Sequence, residues 1–130
     1  MNVSQPFYAH EPDSRIMMEK DKVEISGWTE HLEFINEELD YLMDIEDRML
    51  NNSQLYQQLQ ELQRENRSHI GKLYKYKMNI GNIIECDTAE CDAFYLHKHE
   101  ASRKLYLEHV KKYRSIKTQV LSQILLHAKT

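Results

Sequence analysis

An unbroken heptad seam runs through the middle of this chain. Leu55, Leu59, Leu62, Asn66, His69, Leu73, Tyr76, Ile80 and Ile83 recur at alternating steps of four and three. That spacing keeps one stripe of an α-helix facing partners over about thirty residues, far longer than any strand. A helix so long cannot bury its stripe alone, so other helices must lie along it.

The rest of the sequence agrees. Only three glycines and two prolines occur in 130 residues, and both prolines, Pro6 and Pro12, lie near the N-terminus. Hairpins need turn formers, and this chain is too poor in them to build a sheet. The expected fold class is all-α: an up-down-up antiparallel bundle of three long helices, with an irregular N-terminal arm, completed by dimerisation. The arm covers residues 1–25 and the helical bundle domain residues 26–130. Helix boundaries fall at about 27–50, 53–85 and 88–128.

The first helix starts after Ser26, a good N-cap, with Glu30 in the turn where the helix dipole favours an acid. Trp28, Leu32, Ile35, Leu39, Leu42, Glu46 and Met49 form its seam, widened by Phe34, Met43, Ile45 and Leu50. Asn51-Asn52-Ser53 ends it: Asn51 suits a left-handed C-terminal residue, and Asn52 or Ser53 suits the next cap. Gly71 and Gly81 inside the second helix suit a close neighbour or a slight bend. Asp87-Thr88-Ala89-Glu90 reads as a capping box opening the third helix. There Leu96, His99, Arg103, Tyr106, Val110, Tyr113, Lys117, Val120 and Ile124 form the seam. Two tight turns set a register in which Glu38 lies level with residues near 66 and 109, and Glu46 forms an ion pair with Lys117. The last turns of the third helix carry Leu121, Ile124, Leu125 and Leu126 beyond the expected scaffold, and such apolar surface marks an interface.

Charge is unevenly placed. Residues 28–50 carry eight acids against Arg48 alone, a net of −7; residues 92–130 carry eight bases against three acids, a net of +5. An acidic helix packing beside a basic one accounts for this. A nucleic-acid surface is disfavoured, because phosphate binding calls for a positive excess and the whole chain is at −4. The partners expected are therefore a second copy of the chain, with room for a further protein partner, and neither membrane nor nucleic acid. Residues 1–25 lack the apolar run of a signal sequence, and no stretch approaches the roughly 18 apolar residues of a membrane span. The reading is a cytoplasmic protein in which Cys86 and Cys91 are free thiols; their spacing fits no zinc motif.

Chemistry is sparse. No phosphate loop, nucleophile elbow or ordered Ser/His/Asp set occurs, so no catalytic residue and no cofactor are assigned, and an enzyme is not expected. Asn66 and His69 interrupt an otherwise apolar seam. The register places them near Glu38, Glu65 and His109, and these four, Glu38, Glu65, His69 and His109, are the candidate metal ligands. Against a metal, no Glu-x-x-His occurs, and no histidine precedes another histidine or an acid by four residues. A hydrogen-bonded layer that fixes register is the favoured reading, as a buried asparagine does in coiled coils. His31, Tyr76 and His99 form a second layer toward the other end. The function expected is non-enzymatic association of helices, and the alternative is a bundle holding a metal or small ligand at the central His/Glu layer.

Overall fold

The structure, a computed structural model, describes residues 10–84 and 89–129, with side chains described for 15–80 and 89–128. It is all-helical. Helix α1 spans His10–Ile45 and passes into a wider turn over Glu46–Leu50; α2 spans Ser53–Ile84 and α3 spans Ala89–Lys129. Among the described residues only Asn51 and Asn52 fall outside a helix.

The expected irregular arm is corrected from His10 onward, because α1 begins there and runs through Ser26 without a break. Pro12 falls in the first turn, where backbone N–H groups have no intrahelical partner, so its missing donor breaks nothing. The seam that starts at Trp28 in fact continues backward through Ile25, Asp21 and Met18. Ile25 is fully buried and Met18 packs against the core. Gly27 costs about 1 kcal/mol of helix preference, which the roughly 1.5–3 kcal/mol gained by burying an isoleucine outweighs. Ser26 is no cap: its carbonyl accepts the Thr29 hydroxyl at 2.9 Å and its own hydroxyl accepts from Lys77.

The first turn follows the sequence closely. Asn51 is left-handed, with φ 52° and ψ 40°, and its N–H bonds the Glu46 carbonyl at 2.8 Å. Asparagine tolerates that conformation better than most residues. Asn52 caps α2, accepting the Leu55 N–H on Oδ1 at 3.2 Å. The buried Glu46 carboxylate accepts the Asn52 N–H, so the turn is held from both sides. The second turn, with Cys86, Asp87 and Thr88, lies outside the described residues. Cys91 is disulfide-bonded, which corrects the expectation of free thiols at that position.

One apolar core joins the three helices. Leu32, Ile35 and Leu39 of α1, Leu59, Leu62 and Ile80 of α2, and Val120 of α3 are fully buried. The α2 seam is buried as its spacing requires, apart from His69, which is half-buried, and Ile83, whose side chain is not described. On α3 the core position belongs to Tyr95, while Leu96 faces outward; Phe34 of α1 and Met49 of the wider turn are also exposed. Gly71 faces open space, so it serves no close approach.

The polar pairs between helices follow a consistent order. From α1 to α2 they run Ser26–Lys77, Leu32–Asn66 and Asp40–Gln63, descending in α2 as α1 ascends. From α2 to α3 they run Glu65–Lys112, Asn66–His109 and Tyr76–His99. From α1 to α3 both ascend: Asp21–Tyr95, Glu24–His99, His31–Tyr106 and Glu38–Lys117. The expected α2–α3 register agrees with these pairs. The expected α1–α3 register does not, since Lys117 meets Glu38 at 2.6 Å and Glu46 turns back to the Asn52 N–H.

Candidate functional site

Two polar layers sit inside the helices. The central one is built on Asn66, which is fully buried. Its amide nitrogen donates to the Leu32 carbonyl at 2.7 Å, so its oxygen must be the acceptor facing His109. His109 Nε2 therefore carries a proton and donates to Asn66 Oδ1 at 2.7 Å. Burial, then the neighbouring His69, then Lys112 push His109 down to about 4, against the opposing pull of Glu65. The His69 and His109 rings stand 4.5 Å apart between centroids. His69 is also pushed below the usual histidine value, by burial first and Lys72 second. Two neutral imidazoles thus share one layer.

Of the four candidate ligands, Glu65, His69 and His109 line one open cleft of about 310 Å³, with Ser68, Lys72 and Lys112. Glu65 is already engaged, its two oxygens 2.8 and 3.1 Å from Lys112 Nζ. Glu38 does not join them. Its partner Lys117 lies eight residues beyond His109, about 12 Å along α3. The cleft thus brings together three of the four candidates, and Glu38 is not among its lining residues.

The second layer is richer in contacts. The His99 ring lies between Trp28 and Tyr95, stacked on the first at 5.3 Å and on the second at 6.3 Å between centroids. His99 Nδ1 is 2.9 Å from the Tyr76 hydroxyl, and Nε2 is 2.7 Å from Glu24 Oε1 and 3.3 Å from Asp21 Oδ1. Tyr95 donates its hydroxyl to the other Asp21 oxygen. Arg103 grips Glu24 through Nε and Nη2 at 2.9 and 2.8 Å and also reaches Glu100. Arg103 and then His99 hold the Glu24 carboxyl below its ordinary range despite its partial burial, and Arg103 is raised in turn. Burial first, then the acids beside them, push the Tyr76 and Tyr95 hydroxyls well above ordinary tyrosine. Trp28 also stacks on Tyr106 at 5.3 Å, and the Tyr106 hydroxyl lies 2.6 Å from His31 Nδ1, so the expected His31–Tyr76–His99 layer is two adjoining clusters.

Sequence reasoning found His99 and Tyr76 but missed Asp21, Glu24 and Tyr95. The signal was present: Asp21, Ile25 and Trp28 extend the seam by steps of four and three, and Glu24 precedes Trp28 by four. Reading Ser26 as a helix start hid it.

The fold and its interior define the class: an all-helical protein with stacked polar layers. Comparison with known protein families, with curated proteins and with solved structures returns no match to this chain. None of its helices, over the described residues, is long and apolar enough to cross a membrane.

Proposed function

We propose that this protein works by association rather than catalysis, as an up-down-up bundle completed by a second copy of itself. The observation that carries the reading is a pair of complementary exposed stripes. On α1, Glu30, Phe34, Glu37, Tyr41 and Asp44 recur at steps of four and three, and all are exposed. On α3, Lys104, Leu107, Lys111, Arg114, Thr118, Leu121 and Leu125 do the same. One stripe sets aromatic side chains among acids; the other sets leucines among bases. Tyr41 is 70 % exposed and Leu125 69 %, large apolar surfaces to leave in water. Helical spacing lets each stripe lie in a groove of a partner helix, and opposite charges select the pairing. A two-fold axis satisfies both stripes at once, the α1 of each copy meeting the α3 of the other.

Sedimentation at several concentrations tests this. A dimer that weakens as salt rises is expected, because screening acts on exposed charges. Leu107→Lys with Leu125→Lys should give a monomer of unchanged helicity. Lys111→Glu should weaken the dimer, and adding Glu37→Lys should restore it. A monomeric mass at all concentrations refutes the reading.

A further inference from the structure

The Asp21–Glu24–His99 cluster lies apart from the stripes, and association gives it no task. Asp21 and Glu24 stand three apart on one face of α1, and α3 brings His99 against both. One donor atom from each lies within 4.8 Å of the other two. The His99 side chain is 4 % exposed, those of Asp21 and Glu24 17 % and 32 %. The nitrogen is thus dry while the carboxylates keep an opening to solvent.

Bonds of about 2.1 Å from nitrogen and oxygen to a first-row divalent ion hold neighbouring ligands roughly 3.0–3.4 Å apart. The separations of His99 Nε2 from Asp21 Oδ1 and Glu24 Oε1, 3.3 and 2.7 Å, come within a few tenths of that. The shell around the three is the kind that orients metal ligands. The Tyr76 hydroxyl, 2.9 Å away, can accept a proton held on His99 Nδ1, leaving the Nε2 lone pair for an ion. Tyr95 occupies Asp21 Oδ2 and leaves Oδ1 facing the cluster. Arg103 uses one lone pair on each Glu24 oxygen; what remains on Oε1 points at His99. Burial holds both tyrosines as phenols, so they stay donors and acceptors without adding charge.

Something positive must sit between a dry imidazole nitrogen and two carboxylates. A proton on Nε2 serves, and so does a metal ion that displaces it. We propose that Asp21, Glu24 and His99 bind a single divalent transition-metal ion of the zinc class, with water completing its coordination from the open side. The nitrogen donor favours such an ion over calcium or magnesium, which prefer all-oxygen shells. Arg103 tempers the affinity by neutralising one carboxylate.

The test is titration of the full, untagged, chelator-treated chain with cobalt(II), followed by visible absorption, and with zinc in competition. One saturable ion per chain is expected. Asp21→Asn and Glu24→Gln should each weaken it about tenfold or more while circular dichroism stays unchanged, and His69→Ala should leave it intact. His99→Ala is avoided as the sole probe, because that ring also packs on Trp28. No saturable binding, or binding indifferent to both Asp21→Asn and Glu24→Gln, overturns the site. Loss of the ion on His69→Ala overturns it too, because the ion would then belong to the central layer.

Discussion

Acidification should cost this protein stability through one residue, His109. In an unfolded chain a histidine titrates near 6.5, while in the fold His109 is pushed down to about 4. Above pH 6.5 both states hold the ring neutral, and the native state keeps its full advantage. Between pH 6.5 and 4 the unfolded chain takes up a proton that the native state refuses, so stability falls as pH falls. Roughly two and a half pH units at about 1.4 kcal/mol each give a loss of about 3 kcal/mol. The ring is almost fully buried, so solvent screening removes little of this. Glu65, Glu108, Lys72 and Lys112 line the same cleft as charged neighbours of the ring. The comparison must therefore be with a variant. His109→Gln keeps a side chain able to donate to Asn66 Oδ1 but cannot take the proton. Urea unfolding at pH 7.5 and 4.5, which crosses about two of those units, should show the native chain losing about 2.5 kcal/mol more than His109→Gln. Equal losses would refute the reasoning: the imidazole would then be taking its proton inside the fold.

Other substitutions carry clear expectations. Gly27→Ala and Gly71→Ala meet open space at the added carbon and should each stabilise by about 0.5–1 kcal/mol, raising the melting temperature by a few degrees in calorimetry. A loss on Gly71→Ala at high protein concentration only would instead place that face in the association surface. Asn66→Ala removes the partner of both the Leu32 carbonyl and His109, and should cost about 2–4 kcal/mol in denaturant unfolding. Lys117→Met breaks the pair with Glu38, but both groups are partly solvated, so less than about 1 kcal/mol should be lost.

Much of the helical content was legible because period and burial coincide. The α2 seam from Leu55 to Ile80 could be read position by position, and so could the turn, where Asn51 and Asn52 have few other conformational uses. The α1 start was not legible. Ser26-Gly27 carries the local preference of a helix beginning, and only the long-range burial of Ile25 and Met18 overrides it. The site followed the same division. His69, His109 and Glu65 share a helix pair whose register the sequence resolves, and they come together. Glu38 depends on α1 against α3, two turns removed in the chain, and there it meets Lys117 instead. Asp21 and Glu24 are hidden because Pro6, Pro12 and Ser26-Gly27 give the segment holding them the local signature of an irregular arm. In Leu96 and Tyr95 the error was one position, since both are apolar enough to be a seam residue.

The buried Asn66–His109 pair has a mechanical consequence. Coiled helices with uniform apolar seams can creep past one another by a heptad, trading one set of contacts for an equivalent set. Here a slip of seven residues along α3 would seat the Asn66 amide oxygen against Ile116 and leave it and the His109 Nε2–H without each other in a dry interior, at about 1–3 kcal/mol for each group left unmade. The Tyr76–His99 bond would break in the same motion. Two pins ten residues apart therefore index the helices like teeth on a ratchet. Pulled along its axis, the molecule should hold its position until both pins shear together, and then give way in one step.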